Sequence, residues 1–208
     1  MKVSLPEGYH EITIEQYQNV WKAYEKSTHA HESVRLAIEC LAGLEQGALQ
    51  NAQWHEIEKA GELLAWFISD PDASTLKQPL QNKVKLNGRW YGFIPNWTTL
   101  TVGEFADLDT FCNEGMFENL HIIMSILYRP IALERHDSYE IESYVPSKER
   151  KAEMLNLKMD VAIGALVFFC NIEKELAITM ERYLNGKTQM KKPRRFTGSG
   201  DGTPLSTN

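Results

Sequence analysis

The sequence predicts a mainly α-helical protein: a helical bundle of about six helices, with one small β-hairpin and a disordered C-terminal tail. Three observations predict it. Capping boxes stand at Thr13-Ile14-Glu15-Gln16 and Thr101-Val102-Gly103-Glu104, where a Thr hydroxyl and the Gln or Glu side chain three residues on each accept the other's backbone N–H. Asn87-Gly88 is a strong two-residue hairpin signal, since both central positions of that turn need positive φ. Beyond about residue 187 the chain becomes polar and rich in Gly, Ser and Thr, with almost no aliphatic side chains to bury.

After the first capping box, Ile14, Tyr17, Trp21 and Tyr24 recur at helical spacing. A second helix holds Val34, Ile38 and Leu41 and weakens at Gly43; a third holds Trp54, Ile57, Gly61, Leu64 and Ile68 and stops at Asp70-Pro71. These segments read as three antiparallel helices joined by short loops. A polar connector over 71–82 leads to "KVKLNGRWYGFI", two short alternating runs that form the hairpin at 83–94. The turn sets Leu86 against Arg89, Val84 against Tyr91 and Lys85 against Trp90. Val84, Leu86, Tyr91 and Phe93 then share one side, which must be buried on helices because an isolated hairpin is not stable.

The second capping box opens a helix with Phe105, Leu108 and Phe111 or Cys112. The next carries Leu120, Ile123, Met124 and Leu127 and is expected to end at Pro130, which cannot continue it. "RHDSYEIESYVP" reads as extended or irregular, a candidate strand beside the hairpin. Residues 147–156 form a short charged helix. Asp160 caps the longest helix, expected to reach about Leu184, with Gly186 as its stop signal. The helical domain therefore spans 1–186 and the flexible basic tail 187–208.

With 208 residues, 43% hydrophobic and 24% charged, the chain has the composition of one soluble domain with an appendage. Cys40, Cys112 and Cys170 are dispersed in apolar surroundings, as buried thiols are, and form neither a disulfide framework nor a zinc pattern. The start, "MKVSLPEGYHEI", lacks the apolar stretch of a signal peptide. The longest apolar run, 161–172, lies between Asp160 and Glu173 and falls short of the roughly 20 residues a bilayer needs. A soluble, cytoplasmic protein without membrane contact is the expectation. Residues 185–208 carry five Lys or Arg against Asp201, a net of +4, so the remainder of this −6 chain carries −10. Such an acidic body repels nucleic acid, leaving the basic tail as the sole candidate for contacting it.

Few residues suggest chemistry. Within 85–105, Trp90, Tyr91, Phe93, Trp97 and Phe105 are dispersed over strands, loop and helix, and read as packing rather than a stacking platform. His29-Ala30-His31 with Glu32 resembles a metal pair, but alternate spacing does not bring two imidazoles together on a helix face and no third His or Cys stands nearby, so they read as loop histidines at a helix start. His55-Glu56 lacks the second histidine of a zinc-protease helix. His121 has no evident nucleophile beside it and reads as a hydrogen-bonded, partly buried histidine. Arg129 is placed to pair with Glu104 or Asp107, a structural clamp. No Walker loop, dinucleotide fingerprint or nucleophile elbow is present, and the Gly198–Gly202 run lacks the strand and helix of a phosphate loop. No catalytic, metal or cofactor-binding residues are therefore expected, and no enzymatic activity. Partner binding falls to the tail: Lys191, Lys192, Arg194, Arg195 and Phe196.

The run "NGRWYGFIPNWTTLTVGEFADLD…NLHIIMSILYRPI…YEIESY" resembles small virion-morphogenesis proteins of tailed bacteriophages. The matching positions are Gly88, Tyr91 and Phe93; Thr101, Gly103 and Glu104; Leu120, His121 and Tyr128 to Pro130; and Phe168 and Phe169. The resemblance covers most of the first 184 residues, and its motifs are structural. It implies a non-enzymatic virion assembly protein, foremost a tail assembly chaperone that shields the tape-measure protein in the host cytoplasm. The alternative it implies is a head–tail connector or ring component retained in the virion, with neighbouring connector subunits or further copies of itself as partners.

Overall fold

The first helix, α1 (Ile14–Lys26), starts at its capping box: Gln16 N–H donates to Thr13 Oγ1 at 3.2 Å, and Thr13 N–H donates to Gln16 Oε1 at 3.0 Å. The structure is a computed structural model that describes residues 4–27, 29–68, 78–97, 100–136 and 138–171. The chain divides into two units, Met1–Phe169 and Cys170–Asn208. Within the first unit α1 packs on α2 (Ala30–Leu41), and α2 packs on α3 (Trp54–Leu63). The second contact is close at Gly61, where an added Cβ would sit 2.9 Å from Val34 Cγ1.

The helix expected to run unbroken to Ile68 instead breaks at Leu64 and resumes as the single turn α4 (Ala65–Ile68). Leu64 N–H bonds to the Gly61 carbonyl and Phe67 N–H to the Leu64 carbonyl, both tight i→i−3 contacts. This turn lets Leu64 and Phe67 both enter the core, while Leu63 stays exposed. Burial of two large side chains outweighs helical continuity. Asp70-Pro71 lies outside the described residues.

The hairpin forms in the expected register. β1 (Lys83–Leu86) and β2 (Arg89–Phe93) pair Val84 with Tyr91, Lys85 with Trp90 and Leu86 with Arg89. Asn87 and Gly88 have φ of 48° and 82°, as the tight turn demands. Val84, Leu86, Tyr91 and Phe93 are all buried.

The sheet, however, is larger than one hairpin. Two further strands, β3 (Tyr128–Glu134) and β4 (Tyr139–Ile141), complete a four-stranded antiparallel sheet in the order β1-β2-β3-β4. The helix expected to reach Pro130 is α6 (Leu120–Leu127); the chain leaves it as strand, with Tyr128 already extended at φ −109°, ψ 122°. A proline disfavours helical geometry in the residue before it, which starts the switch at Arg129. Pro130 then lies inside the sheet, opposite Tyr91. It is tolerated because ladder bonds alternate sides: Ile94 N–H bonds to the Leu127 carbonyl, so at Pro130 the backbone faces β4, where its carbonyl accepts from Glu142 N–H. The register shift between Ile131 and Leu133 lies just beyond it. At Gly92 any side chain would collide with the Tyr139 ring, whose hydroxyl shares its one proton between the carbonyls of Phe93 (2.7 Å) and Asn82 (3.0 Å).

Helix α6 is the hub, touching α1, α5 (Val102–Asn113), α7 (Lys148–Met154) and β3. Its Leu120, Ile123, Met124, Ile126 and Leu127 are wholly buried. A last helix, α8, is described over 159–171. Asp160, expected to cap it, sits inside its first turn and accepts from Val161 N–H at 2.8 Å. The N-terminal segment is stitched to the start of α8: Ile14 N–H donates to the Leu157 carbonyl and Met159 N–H to the Ile12 carbonyl, each at 3.0 Å. Eight helical segments thus stand among the described residues, against about six expected, the excess including the single-turn α4. The expected helix end near Leu184, the domain boundary at 186 and the tail over 187–208 lie outside the described residues.

Candidate partner-binding site

Helix α1 buries Ile14, Tyr17 and Val20, yet its apolar stripe is wider than the core can take. Trp21, one turn beyond Tyr17, remains 37% exposed, and Phe117, on the turn between α5 and α6, remains 40% exposed. Tyr17, Trp21 and Phe117 line a groove of about 230 Å³ with Gln18, Lys22, Glu25 and Glu118. The Tyr17 ring forms its centre, with its centroid 5.8 Å from Phe117 and 6.1 Å from Trp21. Behind Trp21 a smaller recess of about 60 Å³ opens against Val20, Tyr24, Ala37 and Phe67. Trp21 stacks on Phe67 at 29° and 6.4 Å, which holds the indole as a ridge between the two hollows.

A buried amide fixes this geometry. Gln18 Nε2 donates to the carbonyls of Phe117 (2.9 Å) and Glu118 (3.0 Å) and lies 3.1 Å from His121 Nδ1. It pins the 117–118 turn to α1. An amide nitrogen cannot accept, so an unprotonated Nδ1 is the tautomer that suits this contact, the two N–H protons of Gln18 being shared among three acceptors. Burial lowers the His121 pKa, and the positive charges of Lys22 and Lys151 lower it further, which favours the neutral ring. His121 is therefore hydrogen-bonded and partly buried, as its sequence context indicates, and it supports the groove from behind.

The histidines stand at a helix start, as expected, but the spacing argument needs correction: His29 and His31 come together, stacked 5.4 Å apart at 9°. His29 is the extended N-cap of α2 and not a helical residue, so helical spacing does not govern it. Among the described residues no group of three or more His, Cys, Asp or Glu is placed to hold a metal ion.

Arg129 pairs with Glu104, Nη1 to Oε1 at 2.6 Å, with side chains 9% and 2% exposed. Burial lowers the Arg129 pKa, while Glu104 opposes this and keeps the guanidinium charged. The pair ties β3 to α5. Asp107, the other candidate, accepts instead from the Tyr144 hydroxyl at 2.6 Å. Tyr91 on β2 bonds Glu153 on α7; burial and then that carboxylate push the phenol up to about 12. The first and third contacts each join two elements, and the second ties α5 to the connection between β4 and α7.

Trp90 is half-exposed on the outer sheet face, while Tyr91 and Phe93 point inward, so the aromatic run at 85–105 forms no single platform. Lys191, Lys192, Arg194, Arg195 and Phe196 lie outside the described residues. The sequence reading missed the groove because Tyr17, Trp21 and Tyr24 share the spacing of core residues. The available signal was their excess: three large rings besides Ile14 and Val20 on one helix. Among the described residues no helix is long and apolar enough to cross a membrane. Comparison with protein-family models, curated proteins and solved structures finds no match.

Proposed function

We propose that this protein is a non-enzymatic assembly factor of a tailed bacteriophage, a tail assembly chaperone that holds a helical segment of the tape-measure protein. The observation that carries the reading is the groove along α1, where two exposed rings, Trp21 and Phe117, flank a third and are held in place by a buried amide. An amphipathic helix docks its apolar face into a groove of this kind. The acidic body, −10 over residues 1–184, keeps such a complex soluble by charge repulsion. The resemblance of the 87–144 motifs to virion-morphogenesis proteins supplies the biological setting, the host cytoplasm during assembly.

Co-expression with the tape-measure protein of the same phage tests it. The chaperone reading expects a soluble complex whose yield falls when Trp21 is replaced by Ala, and no copies of this chain in purified particles by mass spectrometry. Several copies per particle would make it a connector or ring component instead.

A further inference from the structure

The groove carries charge as well as rings, and the charge selects its occupant. Glu25 and Glu118 stand on its walls, and among the described residues neither is in an ion pair. Lys22 is the single cation on the lining, leaving the groove one negative charge in excess. The ring faces of Tyr17, Trp21 and Phe117 are themselves electron-rich, and a cation within about 6 Å of such a ring is attracted to it. With centroids 5.8 and 6.1 Å apart about Tyr17 and interplanar angles of 44° and 58°, the rings form an open cage, not a flat stack. A purely aliphatic occupant would leave that excess negative charge without a counter-charge.

We propose that this cage takes a cationic side chain, arginine or lysine, from the partner's helix, with Glu25 and Glu118 as its counter-charges. The proposal rests on the groove being the client site and names what that client must present there: a basic residue on its docking face. Arginine is the better fit, since its planar guanidinium stacks on aromatic faces and reaches two carboxylates at once. Lys22 opposes the occupant. Its removal therefore acts in the direction opposite to removal of either carboxylate.

The experiment titrates the full chain with N-acetylarginine amide and with its neutral isostere N-acetylcitrulline amide, following the backbone amide signals of residues 21 and 117 by NMR. The expected result is arginine binding about tenfold tighter than citrulline. Glu25→Gln and Glu118→Gln should each weaken arginine binding several-fold, Lys22→Gln should strengthen it, and Trp21→Ala should abolish it. Thermal unfolding of each variant checks that the fold is intact. Equal binding of the two amides, or weaker arginine binding in Lys22→Gln, overturns the proposal. If the tape-measure protein co-purifies but the amides are not distinguished, the cation site is wrong and the chaperone reading stands. Discrimination of the amides without any tape-measure complex leaves the cage in place and removes the chaperone.

Discussion

Two aromatic clusters of this protein begin from the same material and end in opposite roles. Around Phe93, the rings of Trp97, Tyr128 and Phe168 close in at 5.7, 5.2 and 5.6 Å, each near edge-to-face. Strand, loop and helix all contribute, and Phe93 and Tyr128 are sealed from solvent. Around Tyr17, the rings of Trp21, Phe67 and Phe117 stand at similar separations, 6.1, 5.5 and 5.8 Å. There Tyr17 and Phe67 are buried too, but among the described residues no further element covers the outer side. Two rings, Trp21 and Phe117, stay exposed, against Phe168 alone in the first cluster. Ring content alone does not make a core or a site. The number of elements that close over the rings decides.

The largest expected effects break the closed side. Phe93→Ala should cost about 3–5 kcal/mol, by lost burial and the cavity left among three neighbouring rings, read as a fall in the denaturation midpoint. Glu104→Ala should cost a similar amount, about 3–5 kcal/mol, because it leaves Arg129 charged and buried without its partner. A Glu104→Ala variant as stable as the parent would mean that Arg129 escapes to solvent.

An intermediate effect belongs to the helical side, where a charge and not a ring fixes the backbone. Glu39, only 2% exposed at its side chain, accepts from Gly47 N–H (3.0 Å), Leu49 N–H (2.9 Å) and Arg35 (2.7 Å). Burial pushes its carboxyl up, but these donors outweigh burial and hold it below its ordinary 4.5. The folded pKa is depressed, so the stabilisation is complete above about 4.5 and is lost as pH falls through the lower folded value. Urea midpoints measured between pH about 6 and about 3 should show a drop that Glu39→Ala lacks. That variant should itself lose about 3 kcal/mol at neutral pH. His121 adds a smaller slope of the same sign. Its depressed pKa means stability declines as pH falls below about 6.5, and His121→Gln should flatten that part.

The sequence was legible where a local rule decides the outcome. Both capping boxes form, and the Asn87-Gly88 turn sets the hairpin register because turn geometry and the two-residue period leave no other pairing. It was less legible where a distant neighbour decides. Tyr128–Glu134 leaves a helical pattern for a strand because β2 offers an open edge, a fact no local window contains. Leu64 breaks its helix to bury itself with Phe67, again a tertiary gain over propensity. The groove was invisible for the same reason. The spacing of Tyr17 and Trp21 announces an apolar helix face, and only the packed fold shows that, among the described residues, nothing covers one end of it.

A modest stability effect, paired with the largest binding effect, tests the central claim most directly. The Trp21→Ala/Phe117→Ala double variant removes two rings that are each more than a third exposed, so it should lose about 3 kcal/mol for the two together, less per ring than Phe93→Ala, and stay folded. The same variant should fail to hold the co-expressed tape-measure protein in solution. Measured together by denaturation and co-purification, a folded double variant that captures no client is the predicted result. A double variant that unfolds would show the rings to be core, and one that still captures the client as well as the parent would show that the open face is not the site.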